Sequence, residues 1–162
     1  MVTIVQGTTH KPVSAQRLAT FFTRLKDDGF LYIGYPIIGT AEGPFPIDAL
    51  FISRTKGVVI FNLIEGREVD HAEAVQDDSY NKLQSKLRLH KTLMKGRLLQ
   101  VPIHTVTFAP VREDAASLSQ DDYPICNEST LTAWLDPYSC QCHLPQSRSY
   151  IATGSIVSLH YG

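Results

Sequence analysis

The stretch FPIDALFISRTKGVVIFNLIEG, residues 45–66, constrains the fold of this 162-residue chain more than any other. It reads as two apolar, β-branched strands, roughly 46–53 and 57–63, divided by a tight turn between Arg54 and Gly57. The segment before it, FLYIGYPI at 30–37, is aromatic and β-branched and is followed by the turn residues GTAEGPFP. Together these segments predict a three-strand meander.

Helical patterns flank the meander. After Ser14, a plausible N-cap, Leu18, Phe21, Phe22 and Leu25 recur at helical spacing until Gly29 stops the run. Beyond the meander, EGREVDHAEAVQDD (65–78) is acidic and loop-like, and SYNKLQSKLRLHKTLMKGR (79–97) carries Tyr80, Leu83, Leu87 and Met94 as a second long helix. VPIHTVTFAP (101–110) then reads as a strand with Val106 and Phe108 on one face and Pro110 at its end. NESTLTAWLD (127–136) predicts a short helix carrying Leu131, Trp134 and Leu135, closed by Pro137. The last stretch, SRSYIATGSIVSLHYG, fits a helix or a strand equally well. A helix–strand crossover after a meander calls for a mixed sheet, so the expectation is one α/β domain over 1–162, a central mixed sheet with helices on its faces.

Composition narrows the functional classes. A net charge of -1 gives no global reason to expect a nucleic-acid partner, so such a role has to come from local charge. Three cysteines late in the chain make no disulfide framework, and the N-terminus lacks the basic start and apolar run of a signal peptide. No apolar run is long enough to span a bilayer. A soluble, cytoplasmic protein without a membrane partner is expected. No Gly-rich phosphate loop appears, so this domain is not expected to bind ATP.

The opening stretch also carries chemistry. Asp48 sits early in its first strand and Asn62-Leu63-Ile64-Glu65 ends its second. Metal-dependent nucleases converge carboxylates and an ammonium from such a strand pair on one Mg²⁺. With its helix, acidic strand PIDALFISRTKGVVIF, turn glycine, second helix and following strand VPIHTVTFAP, the chain resembles the nuclease-related domain (NERD) family, with its restriction-endonuclease-like core, from about Ala15 to Leu135. The resemblance implies a nuclease fold, often attached to helicases or kinases, so the chain reads as the N-terminal part of a larger protein such as a helicase.

Departures from the family pattern fall on the charged positions. Where the family carries a Glu in the first helix this chain has Gln16, and where it carries Glu-x-Lys after the turn glycine this chain has Asn62 and Ile64. Gln16 and Asn62 offer neutral carbonyl oxygens, Ile64 offers nothing, and Asp48 alone keeps its charge. A single carboxylate is a poor Mg²⁺ site, because Mg²⁺ dehydrates reluctantly. Gln16, Asp48, Asn62 and Ile64 therefore read as a vestigial site, and no cofactor is expected. The alternative is an active Mg²⁺-dependent endonuclease in which Asp48, the one metal-ligand candidate, works with a relocated Glu65, helped by Glu68 or by Lys56 in the turn. Alternation along the strand sets Glu65 on the face opposite Asn62 and Ile64 unless a bulge intervenes.

Local charge supplies the other candidate. Lys82, Lys86, Arg88, Lys91, Lys95 and Arg97 fall in the second helical segment with no acid among them, and paired one-turn spacings predict a basic helix face able to meet DNA phosphates. Tyr80 and Gln84 on the same helix are candidate polar residues near the site. Cys126, Cys140, Cys142 and His143 have zinc-type donors, but Cys140-Gln141-Cys142 is too closely spaced for a usual structural zinc site. His71, His90 and His104 read as ordinary surface or core histidines. Three functions follow in order: an inactive nuclease-fold domain that associates with nucleic acid or docks in a larger protein, an active endonuclease, and a pure protein-interaction domain.

Overall fold

The computed structural model describes residues 1–35, 38–40, 43–45 and 47–139. The chain starts with a strand, β1 (Val2–Gln6), and then enters helix α1 (Pro12–Thr23). The helix begins earlier than Ser14 because Pro12 stands at its first position, where the fixed φ of proline suits a helix start and its missing N–H costs nothing. Ser14 is inside the helix and buried, so it is no cap. Next come β2 (Gly29–Ile33), a small hairpin of β3 (Ile38–Thr40) and β4 (Gly43–Phe45), then β5 (Ala49–Ser53) and β6 (Gly57–Leu63).

The crossover helix α2 (Ala72–Leu87) starts a full two turns before the predicted position and ends well before Lys91. Its buried stripe runs Ala72, Gln76, Ser79, Leu83, Leu87, a helical spacing whose first half is polar or small. A short 3₁₀ turn at Lys91–Leu93 follows, and then a tight hairpin of β7 (Met94–Lys95) and β8 (Leu98–Leu99) whose turn holds Gly96 at φ +62°. A left-handed residue at this point breaks any helix, so the predicted single helix over 79–97 is two structures. After it come β9 (Ile103–Phe108), a single turn α3 (Ala115–Leu118), β10 (Ile125–Cys126) and α4 (Glu128–Ser139). α4 continues through Pro137 rather than closing at it.

Six strands form one mixed sheet in the order β1-β2-β5-β6-β9-β10. The meander β2-β5-β6 is antiparallel as expected, and β9 returns parallel to β6 after α2. β1 extends the sheet parallel to β2, and β10 extends it parallel to β9. Every residue of β5 and β6 is buried, which requires cover on both faces of the sheet. Ala15, Leu18 and Phe22 of α1 and Leu131 and Leu135 of α4 cover one face, against Phe51, Phe61, Leu63, Val106 and Phe108. Leu83 and Leu87 of α2, with Leu93 and Val101, cover the other against Leu50, Ile52, Val58 and Ile60.

Phe22 is the keystone of the first face, its ring 4.6 Å from that of Phe51 and 5.6 Å from that of Phe61. Truncating a ring so enclosed costs about 3–5 kcal/mol. The β5–β6 turn depends on Gly57, at φ +72°, where an added Cβ would lie 2.6 Å from the Pro102 carbonyl oxygen. Only glycine fits there, and the close approach lets Val58 N–H donate to that oxygen and start the β6–β9 ladder. Among the described residues no helix is long and apolar enough to cross a membrane.

Candidate functional site

Asp48 lies one residue before β5, not within it, beside the end of β6. One carboxylate oxygen, Oδ2, accepts from Lys11 Nζ at 2.7 Å and from Leu63 N–H at 2.9 Å. Lys11 is the N-cap residue of α1, thirty-seven positions away in the chain. The cleft beside this pair measures about 280 Å³ and is lined by Lys11, Asp48, Asn62 and, from α2, Val75, Asp78 and Ser79. Asp78 is its second carboxylate, and Lys82 one turn further along α2 pairs with it at 3.1 Å. Each acid in the cleft thus has a cation of this chain beside it.

Asn62 faces the cleft as the register of β6 requires and is nearly buried. Its amide donates to Thr107 Oγ1 at 3.2 Å, and Gln76 of α2 donates to the same hydroxyl at 2.8 Å. Gln76 also donates to the Pro124 carbonyl and accepts from Thr105 Oγ1 at 2.9 Å. A buried polar network therefore ties β6, β9 and α2 together behind the cleft. Each member is satisfied, which is the condition under which buried polar groups add rigidity instead of cost. Gln76, Ser79, Thr105 and Thr107 carry no sequence signal of their own, because uncharged polar residues in a strand or an amphipathic helix look like surface positions.

The other expected residues scatter. Gln16 is exposed on α1, is not among the residues lining the cleft, and turns its side-chain amide to Thr20 Oγ1 at 3.5 Å. Ile64 packs against the small apolar cluster of Ala109, Ala115 and Ile125. Glu65 turns to the α1 face, as strand alternation predicted, and accepts from the N–H groups of Val13 and Ser14 at 3.1 and 2.8 Å. It is the N-terminal cap of α1, supplied from the end of β6, and those backbone donors hold its carboxyl below the ordinary value, with Lys11 nearby adding to the effect. The Ser14 hydroxyl completes the joint by donating to the Ile64 carbonyl.

Lys56 cannot rebuild a site around Asp48. It lies at the opposite end of β5, about 17 Å away for five residues at about 3.3 Å each. There it forms a buried pair with Asp27 at 2.9 Å, with Thr55 donating to the same carboxylate. Glu68 is exposed in the loop before α2. Gln84 donates to the Tyr80 hydroxyl at 3.3 Å, and Tyr80 lines a different cleft, with His104, Asp121 and Asp122.

The basic residues do not share one helix face. Lys82 and Lys86 lie on α2, Arg88 caps its C-terminus, Lys91 is in the 3₁₀ turn, and Lys95 and Arg97 flank the hairpin tip. Cys126 on β10 is buried with its thiol pKa raised by desolvation, and burial lowers that of His104 on β9. Cys140, Cys142, His143 and the unassigned stretch from 147 lie outside the described residues. Among the described residues no three His, Cys, Asp or Glu side chains cluster as metal donors. Comparisons with protein-family models, with curated proteins and with solved structures find no match to this chain.

Proposed function

We propose that the chain is a non-catalytic domain on a restriction-endonuclease-like core, akin to the NERD family, and that it serves as a nucleic-acid-associated module, placed beside a helicase in a longer protein. The order of helix, antiparallel meander, crossover helix and parallel strand supports this core, and Asp48 and Asn62 meet at the strand ends where such a core carries its chemistry. The observation that carries the reading is the Lys11–Asp48 pair. The ammonium sits 2.7 Å from the carboxylate, in the space a divalent ion would need.

The donor set does not fit Mg²⁺. Asp48 gives one carboxylate, its Oδ2 already taken by two donors, the cleft's other carboxylate, Asp78, is paired with Lys82, and Asn62 offers only a neutral carbonyl oxygen. A hard cation would have to displace Lys11 and still find its remaining charge elsewhere. Among the described residues the two carboxylates of the cleft, Asp48 and Asp78, each stand beside a lysine, and Glu65 caps α1. Without a metal or a base to activate water, the cleft can hold polar groups but not cleave a phosphodiester. The test is incubation of the protein with single- and double-stranded DNA in Mg²⁺ or Mn²⁺, beside an Asp48→Ala variant. No cleavage by either protein is expected, and cleavage that the substitution abolishes would overturn the reading.

A further inference from the structure

Between Asp78 and Glu113 the chain contains no acidic residue, although its net charge is -1. The structure carries the most exposed cations of this stretch on the segment that joins α2 to β9. Arg88 closes α2, Lys91 lies in the next turn, and Lys95 and Arg97 sit at the tip of the β7–β8 hairpin, all four exposed. The tip is open, since a Cβ added at Gly96 would meet nothing within 4 Å. Its base is fixed: Leu93 and Val101 are buried in the α2-side core, and Gln100 N–H donates to the Leu93 carbonyl at 2.8 Å. This is a basic hairpin on an anchored base.

We propose that this hairpin and the Arg88–Lys91 shoulder are the surface by which the domain holds nucleic acid, through the phosphates of a duplex. The inference rests on the reading above and locates its contact away from the cleft. Four exposed cations with no acid in the same stretch complement a polyanion, and their contacts to phosphate carry no sequence preference. The patch also exposes Leu89 and Leu98, 73% and 69% accessible, which an anionic membrane would favour. Two leucines carry less hydrocarbon than one myristoyl chain, which by itself holds a bilayer only marginally, so the charge dominates.

The test is fluorescence anisotropy with a labelled duplex of about 20 base pairs, comparing the wild type with a variant carrying Arg88→Gln, Lys91→Gln, Lys95→Gln and Arg97→Gln. Four phosphate contacts predict that wild-type affinity falls about 150-fold between about 50 and about 200 mM salt. In the variant both the low-salt affinity and most of that salt dependence should be lost. All four side chains are exposed, so thermal melts of the two proteins should coincide. If the wild type binds and the variant binds equally well with the same salt slope, the hairpin is not the contact and the broader reading survives. If the wild type binds no duplex at low salt, both fall. Binding to phosphatidylserine vesicles without binding to the duplex would overturn the proposal in favour of a lipid surface.

Discussion

Replacing Asp48 separates a structural carboxylate from a catalytic one. In the wild type its Oδ2 accepts from Lys11 Nζ and from Leu63 N–H, the last strand residue of β6, which is fully buried. Asp48→Ala leaves that N–H without its acceptor, at about 1–3 kcal/mol, and removes an ion pair that is a quarter to a third exposed, worth at most about 1 kcal/mol after screening. The expected loss is about 1–4 kcal/mol, or roughly 2–16 °C in Tm for a domain of this size. Asp48→Asn keeps an oxygen for Leu63 and loses only the charge, so it should cost about 1 kcal/mol or less, as should Lys11→Met. Urea unfolding of the three variants, with m-values compared, reads these differences directly. The reasoning is refuted if Asp48→Asn is as damaging as Asp48→Ala, or if Asp48→Ala is more stable than the wild type. The latter is the behaviour of a carboxylate kept for function at the expense of stability.

Two further outcomes follow from the same geometry. Lys56→Met takes the cation from the nearly buried Asp27 carboxylate, which keeps only neutral donors such as Thr55, and should cost about 3 kcal/mol, whereas Asp27→Leu with Lys56→Met should return to within about 1 kcal/mol of the wild type; additive losses in chemical denaturation would argue against a desolvated pair. The Glu65 carboxyl is held below its ordinary value of 4.5 by the α1 N–H groups, so its contribution is complete above that pH and disappears as pH falls through the lowered value. Glu65→Gln should therefore flatten the acid limb of the stability curve below about pH 4.5, and parallel acid limbs for the two proteins would remove the capping role.

The meander was legible because β5 and β6 are apolar but for Ser53 and Asn62 and Gly57 stands where a left-handed turn must fall. Alternation set Asn62 and Glu65 on opposite faces of the strand, and the structure gives the first to the α2 side and the second to α1. α2 was misplaced for a physical reason: its buried face begins with Ala72, Gln76 and Ser79, which have little hydrophobic signal, and they are buried by hydrogen bonding and small size. The real apolar spacing of Leu83 and Leu87 then drew the predicted helix downstream, past Gly96. β1 shows β-branched residues at Val2, Thr3, Ile4 and Val5, but its pairing is to β2, twenty-seven residues later, and local pattern does not record a partner.

The cleft beside Asp48 was half visible for the same reason. Asp48 and Asn62 come from neighbouring strands with a short connection, so their meeting could be counted from the turn. Lys11, which neutralises Asp48, arrives from the far end of the chain at a helix cap. The basic stretch was visible as composition and wrong as geometry, since spacing of four residues means a common face only where a helix exists. The segment keeps the charge and changes its shape from a helix face to a hairpin tip.

The proposal that the Asp48 cleft carries no metal-dependent chemistry rests on Lys11 Nζ standing 2.7 Å from the carboxylate that an ion would need. Its most direct test is Mn²⁺-dependent cleavage of single- and double-stranded DNA by three proteins: the wild type, Asp48→Ala, and Lys11→Met, which vacates the cation position. The account predicts no cleavage above buffer by any of the three, with neither Mg²⁺ nor Mn²⁺ raising the Tm of the wild type. Metal-dependent cleavage by the wild type that disappears in Asp48→Ala would contradict it.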